Sequence, residues 1–168
     1  MADIPYPTEP LPANSALYDG VSITAAPPCA RYGLRGRDAA LLEAATGLKL
    51  PSAIGHSAAG VAKLGPDEWL AILPITAQFG VSEGQPISVV DVSDRSIGII
   101  VEGERAIAIL SAGCPLDLAA WPVGRASRTV YELVEVIIFR ESETRFSIDI
   151  WRSFAPWLWQ ALCTAAAG

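Results

Sequence analysis

Val89–Leu118 reads VVDVSDRSIGIIVEGERAIAILSAGCPLDL, and its punctuation decides the fold. Ser88–Val92 is a strand-like run that turns at Ser93, Asp94 and Arg95; Ser96–Val101 is a second strand, rich in isoleucine. Gly103 ends that strand. Glu104–Ala112 then predicts a helix with Ile107 and Leu110 on one face and Ile109 on its flank. Gly113 is a natural stop, because glycine accepts the left-handed backbone that closes a helix, and Pro115 blocks continuation. Asp91 and Asp94 bracket Ser93, which is the chemistry of a self-bonded turn more than of an active carboxylate.

The same plan recurs upstream. Leu34-x-Gly36, a helix over Asp38–Thr46 and a stop at Gly47 match Val101-x-Gly103, the second helix and Gly113, about 67 residues later. Short strands at Val21–Ala25 and Arg31–Leu34 flank Pro27-Pro28, and Val61–Leu64 with Glu68–Leu73 makes a hairpin around Gly65-Pro66-Asp67. In the second half the strands are Thr129–Leu133, Val136–Arg140 and Arg145–Ile150. The expected fold is therefore α+β: a pseudo-symmetric repeat of two β-α-β-β units with largely antiparallel sheet. Phe146, Ile148 and Ile150 alternate with Arg145, Ser147 and Asp149, the pattern of a sheet with one face in water.

Residues 1–20 hold Pro5, Pro7, Pro10 and Pro12 and read as an N-terminal arm, either laid over a neighbouring subunit or a disordered tail, leaving 21–168 as a single α+β domain. At the other end, a helix begins near Ser153, an expected N-cap, with Pro156 in its first turn. Its inner stripe is Phe154, Leu158, Ala161, Leu162 and Ala165. Trp159 lies ~140° around the helix from Phe154 at ~100° per residue, and is expected to face a partner.

Composition removes several function classes. At 168 residues the chain can bury a real core, yet it is 51% hydrophobic and 18% charged with five tryptophans. Such apolar surface calls for a partner. A net charge of −6 argues against nucleic acid, whose phosphates need a basic face. No run approaches the ~18–20 apolar residues that span a bilayer, and the opening MADIPYPTEPLP lacks a signal peptide's basic and apolar regions. A cytoplasmic location away from membranes is expected. Cys29, Cys114 and Cys163 are too scattered for a disulfide framework or a zinc site. The single histidine, His56, sits in a small-residue loop; Gly55–Gly60 is spaced as a phosphate loop, but Val61 and Ala62 replace its lysine and hydroxyl. No dinucleotide-binding glycine signature follows a strand. No catalytic residue, metal ligand or cofactor is assigned to this chain.

Asp91-x-Ser93, the following strand, Val101-x-Gly103 and the helix ending in GCPLDL resemble aminomethyltransferase-type folate-binding domains. LGPDEWL (64–70), AWPVG (120–124), the run Arg125–Thr129 and WRSFAPWLW (151–159) extend the resemblance, which is closer to the gamma subunits of heterotetrameric sarcosine oxidase. Active aminomethyltransferases carry a Gly-Gly-x-x-Asp-Asp-like loop before a strand that corresponds here to Val136–Arg140. In this chain Tyr131–Glu135 fills that place, so Glu135 is the one candidate for a vestigial folate site. Trp151-Arg152-Ser153 likewise replaces an Asn-Ala-Asn-like segment. The resemblance implies a non-catalytic structural subunit in a complex that oxidatively demethylates sarcosine to glycine. Flavins, NAD and tetrahydrofolate are then expected in the partner alpha, beta and delta subunits. Trp151, Arg152, Trp157 and Trp159 are the expected interface. The alternative is a stand-alone folate-binding or one-carbon transfer module.

Overall fold

The computed structural model describes residues 10–80 and 84–168. In chain order the elements are β1 (Ser15–Tyr18), β2 (Val21–Ala25), β3 (Cys29–Gly36), α1 (Ala39–Thr46), β4 (Ser57–Ala58), β5 (Val61–Gly65) and β6 (Glu68–Pro74). They continue with β7 (Ile87–Asp91), β8 (Ser96–Glu102), α2 (Ala106–Ser111), β9 (Ala126–Tyr131), β10 (Val134–Arg140), β11 (Arg145–Trp151) and α3 (Ala155–Ala167). One sheet runs β1-β2-β8-β11-β10-β9 and the other β4-β5-β6-β3-β7, with every pairing antiparallel.

Alternation along the strands sorts the side chains into layers. Ile97, Ile99 and Val101 of β8, with Phe146, Ile148 and Ile150 of β11, pack under α2 and α3. Tyr32 and Leu34 of β3, with Trp69 and Ala71 of β6, pack under Leu42 of α1. The remaining faces meet each other: Ala62 and Leu70 of one sheet lie against Ala126, Ile137 and Phe139 of the other. The molecule is thus helices, sheet, sheet, helix. The second face of β11 is consequently not in water, as its alternation suggested; Asp149 is buried between the sheets, facing β3. Glu68 of β6 also bridges the sheets, accepting from Arg128 of β9 at 2.5 and 3.2 Å.

Each repeat unit is two strands longer than the sequence suggested. β2-β3-α1-β4-β5-β6 matches β7-β8-α2-β9-β10-β11, and the two sheet orders correspond strand for strand once the units exchange their first strands. β2 of the first unit pairs with β8 of the second, and β7 of the second pairs with β3 of the first. The strand-turn-strand in 88–101 is therefore a crossing between sheets. Asp38 caps α1 through Ala40 N (2.9 Å), and Gly47 closes it in the left-handed region at φ 72°. Gly113 serves differently from expectation: α2 ends in right-handed Ala112, and a Cβ at Gly113 would lie 2.5 Å from the Tyr131 ring.

Two further expectations change together. The arm was expected to run to residue 20, but Ser15–Tyr18 is a sheet strand, paired with β2; Pro5 and Pro7 fall outside the described residues. The buried stripe of α3 is Ala155, Leu158, Trp159, Leu162, Cys163 and Ala166, rotated from the stripe read in the sequence. Trp159, expected at an interface, is only 3% exposed and belongs to the core. α3 is apolar around most of its circumference, so sequence periodicity left its inner face open. Leu11, Ala16 and Tyr18, from the segment taken as an arm, pack against this core, and Tyr18 approaches Cys163. Ser153 does not cap the helix; a 3₁₀ turn, Arg152–Phe154, leads into it instead.

Trp159→Ala should therefore cost roughly 3–5 kcal/mol of fold stability, comparable with ~2–5 kcal/mol for Leu158→Ala, in chemical denaturation. A second measurement concerns pH. The Arg128 hydrogen bond holds Glu68 below its ordinary value of 4.5. Its contribution is complete above the unfolded-state value and is lost as pH falls through the folded one. Glu68→Gln should lose about 0.5–1 kcal/mol at pH 7, with the difference from the parent chain shrinking as pH falls below the ordinary carboxylate range.

Candidate functional site

The turn between β7 and β8 builds the polar end of the layer between the sheets. Ser93 donates to Asp91 Oδ1 from its backbone N (2.9 Å) and its Oγ (2.6 Å), and its Oγ accepts from Arg31 N (2.9 Å). Asp91 and Ser93 thus have the structural role expected of them. Val92 N donates to Arg31 O (2.8 Å), which fastens the turn to β3.

Beside it, Arg31 Nε donates to Asp149 Oδ2 at 2.5 Å, with the two residues 4% and 5% exposed. Burial pushes the Asp149 carboxyl above the usual carboxylate range, and Arg31 and the buried Ser96 pull it back by favouring the anion. A carboxylate so occupied has no role as a free base. Clefts of 380 and 230 Å³ share Ala26, Pro27, Cys29, Arg31 and Gly98 in their walls. A Cβ at Gly98 would lie 2.6 Å from the Cβ of Ala26, so glycine sets the close approach of the chain there. Asp94 borders the 380 Å³ cleft together with Arg152, whose Nε donates to Asp94 O (3.2 Å).

Glu135, the folate-site candidate, lines neither cleft. It is exposed on β10 and pairs with Arg128 Nε at 3.7 Å, beside the Arg128–Glu68 bridge. Paired with Arg128 at the surface, Glu135 is not aimed into either cleft. His56 is an exposed loop residue whose backbone bridges to Arg125. Cys114 and Cys163 are buried and Cys29 is half-buried; among the described residues no group of three or more His, Cys, Asp or Glu is placed to hold a metal. Among the described residues no helix is long and apolar enough to cross a membrane.

Three of the four expected interface residues lie at the same end of the six-stranded sheet. Trp151 closes β11 and is 46% exposed, with the Arg95 guanidinium 5.8 Å from its ring centre. Arg152 begins the 3₁₀ turn, whose last residue, Phe154, is exposed. Trp157 follows one turn later, edge-on to Tyr131 at 6.5 Å, and the β9–β10 turn adds Leu133, 95% exposed. The sequence carries no sign of Leu133, which only the β9–β10 hairpin brings to this end of the sheet. It likewise hid the Arg31–Asp149 pair, whose partners lie 118 residues apart.

A duplicated, two-sheet antiparallel body with this strand order is the fold of aminomethyltransferase-type folate-binding domains. Aminomethyltransferase T of the glycine cleavage system from Bartonella henselae superposes with a TM-score of 0.64 at 14% identity, over 85% of this chain and 45% of that one, a likeness of fold alone. The family model described as "Sarcosine oxidase, gamma subunit family" matches residues 36–168. The chain belongs to the sarcosine oxidase gamma subunit family. Sarcosine oxidase subunit gamma from Corynebacterium sp. (strain U-96) is 33% identical over 146 residues, covering 76% of this chain and 70% of that one. Its counterpart from Arthrobacter sp. is 35% identical over 120 residues, covering 62% and 57%. A chain in the structure of heterotetrameric sarcosine oxidase from Corynebacterium sp. U-96, in complex with pyrrole 2-carboxylate, superposes with a TM-score of 0.76 at 28% identity, over 92% of this chain and 90% of that one.

Removing one member of the Arg31–Asp149 pair leaves an uncompensated buried charge. Asp149→Leu or Arg31→Met should each cost about 3–5 kcal/mol in denaturant unfolding, while the double variant recovers most of that loss.

Proposed function

We propose that this chain is a non-catalytic structural subunit of a heterotetrameric sarcosine oxidase. Flavins, NAD and tetrahydrofolate would be held by the alpha, beta and delta subunits, and the chain would act in the cytoplasm. Its likeness along nearly the whole chain to a component of a heterotetrameric sarcosine oxidase carries this reading. The pairing of Glu135 with Arg128 on the surface supports the non-catalytic role and disfavours the alternative of a one-carbon transfer module. The exposed ridge of Leu133, Trp151, Phe154 and Trp157 supplies an apolar anchor of the kind that protein interfaces bury, rimmed by Arg95 and Arg152.

The reading is tested by co-purification of the tagged chain from its own cells, which should bring down yellow, flavin-bearing chains with sarcosine oxidase activity. Recovery of the chain without them would sink it. Within the complex, Trp151→Ala and Trp157→Ala should each weaken assembly about thirtyfold, since truncating a buried interface tryptophan costs ~2 kcal/mol or more. Both variants should leave the melting temperature of the isolated chain within a few degrees of the parent, in contrast to Trp159→Ala.

A further inference from the structure

Arg31, Arg35, Arg128, Arg140 and Arg145 each pair with a carboxylate. Arg125 does not. Among the described residues no hydrogen bond or ion pair engages its guanidinium, and its Nε is buried without an acceptor. Buried donors are rarely left in that state, because an unmade bond of this kind is destabilising. What holds the side chain is packing. The Trp121 ring centre lies 5.7 Å from its Cζ, and Gly55 makes room for it: a Cβ there would stand 2.8 Å from the same atom. The backbone is pinned as well. Arg140 N donates to Arg125 O (2.8 Å), Ala126 N to Gly55 O (2.8 Å) and Ser57 N to Gly124 O (2.7 Å). With Nε enclosed, the half-buried residue reaches solvent through its two Nη nitrogens.

The surroundings show what this cation faces. Ile54 and Val123, in the two loops that frame it, are 54% and 47% exposed. The loops lead into β4 and β9, which are edge strands of the two sheets and are joined by a bridge between His56 and Arg125. Residues 1–9 lead towards β1 and residues 81–83 towards β7, the opposite edge of each sheet. Both stretches outside the described residues thus join the body on its far side from Arg125. A guanidinium fixed in place, short of an acceptor and flanked by exposed apolar side chains is preorganised for a carboxylate at a protein contact.

Resting on the proposed membership in the oxidase, we infer that Arg125 receives a carboxylate of a partner subunit, seated on its Nη nitrogens between Ile54 and Val123. The carboxylate comes from a different chain for two reasons. A tetramer of alpha, beta, gamma and delta subunits holds one copy of this chain, and two copies that each carry a net charge of −6 repel one another. Closing the apolar rim over the pair removes water from it and strengthens the attraction. This contact is distinct from the tryptophan ridge, since Arg125 lies at the opposite end of the β9–β10 hairpin from Leu133.

Two measurements test the inference. Phenylglyoxal, which modifies accessible guanidinium groups, should label Arg125 in the isolated chain and spare it in the purified oxidase, as read by peptide mass spectrometry. Arg125→Met should leave the melting temperature of the isolated chain unchanged or raised, because it removes a buried donor that has no partner. The same variant should weaken assembly about tenfold or more, and added salt should weaken the parent's assembly more steeply than the variant's. Arg125→Lys keeps the charge and should lose less than Arg125→Met. Equal losses in the two variants, or a lower melting temperature with assembly unaffected, overturn the inference. Equal labelling in the isolated chain and in the oxidase overturns it and leaves the functional reading intact. Protection of the isolated chain by millimolar acetate assigns the site to a free carboxylate, and protection that appears only when the isolated chain is concentrated assigns it to a second copy; either result overturns the subunit contact. Failure of the parent chain to assemble with flavin-bearing subunits overturns both readings. Should Arg125→Met fail to fold, the labelling measurement decides alone.

Discussion

Arg31 and Asp149 meet between two sheets, out of water, and each is tolerable there only because of the other. One comes from β3 and one from β11, so the pair fixes how the sheets lie on each other as well as neutralising them. Ser93 accepts from the backbone of the same arginine, and Val92 donates to its carbonyl. The turn that carries the chain from one sheet to the other is thereby held at the point where the charges meet. An apolar layer alone, such as Leu70 against Ile137 and Phe139, would resist separation of the sheets but specify their offset less strictly.

That crossing turn has a topological consequence. Because β7 and β8 enter different sheets, each repeat completes the other's sheet, and neither half has a whole sheet of its own. The halves are bound by shared ladders as well as by packed faces. Symmetry is then broken by two additions to the same sheet: β1 at one end of the chain and α3 at the other. They pack on each other through Tyr18 and Cys163. The six-stranded sheet is left with a finished helical face and exposed apolar residues at one end.

Several acids are tied to arginines across strands. Glu135 and Glu68 share Arg128, and Asp149 is held by Arg31 and Ser96. Acids tied in this way hold strands together and have little freedom to move protons. The aromatic side chains divide by a comparable logic: Trp69 and Trp159 fill cores, whereas Trp151 and Trp157 stand beside arginines or the protein rim with a ring face or edge in solvent.

The sequence by itself determined the local elements and the duplication. Asp38 and Gly47 bound α1 because a cap and a left-handed close are local chemistry, and Phe146, Ile148 and Ile150 share a face because a strand has period two. The repeat of Leu34-x-Gly36 in Val101-x-Gly103 survived because both mark a strand end ahead of a helix. What covers each face was decided only by tertiary structure. Asp149 alternates out of one core and into another layer, and its arginine partner is 118 residues away. The buried side of Trp159 is not legible because α3 is apolar nearly all round, and β1, which packs on the same core, comes from a proline-rich start with no periodicity to announce it. Periodicity reports a side chain's direction relative to its own backbone; whether water, a sheet or a partner lies in that direction depends on contacts distant in the chain.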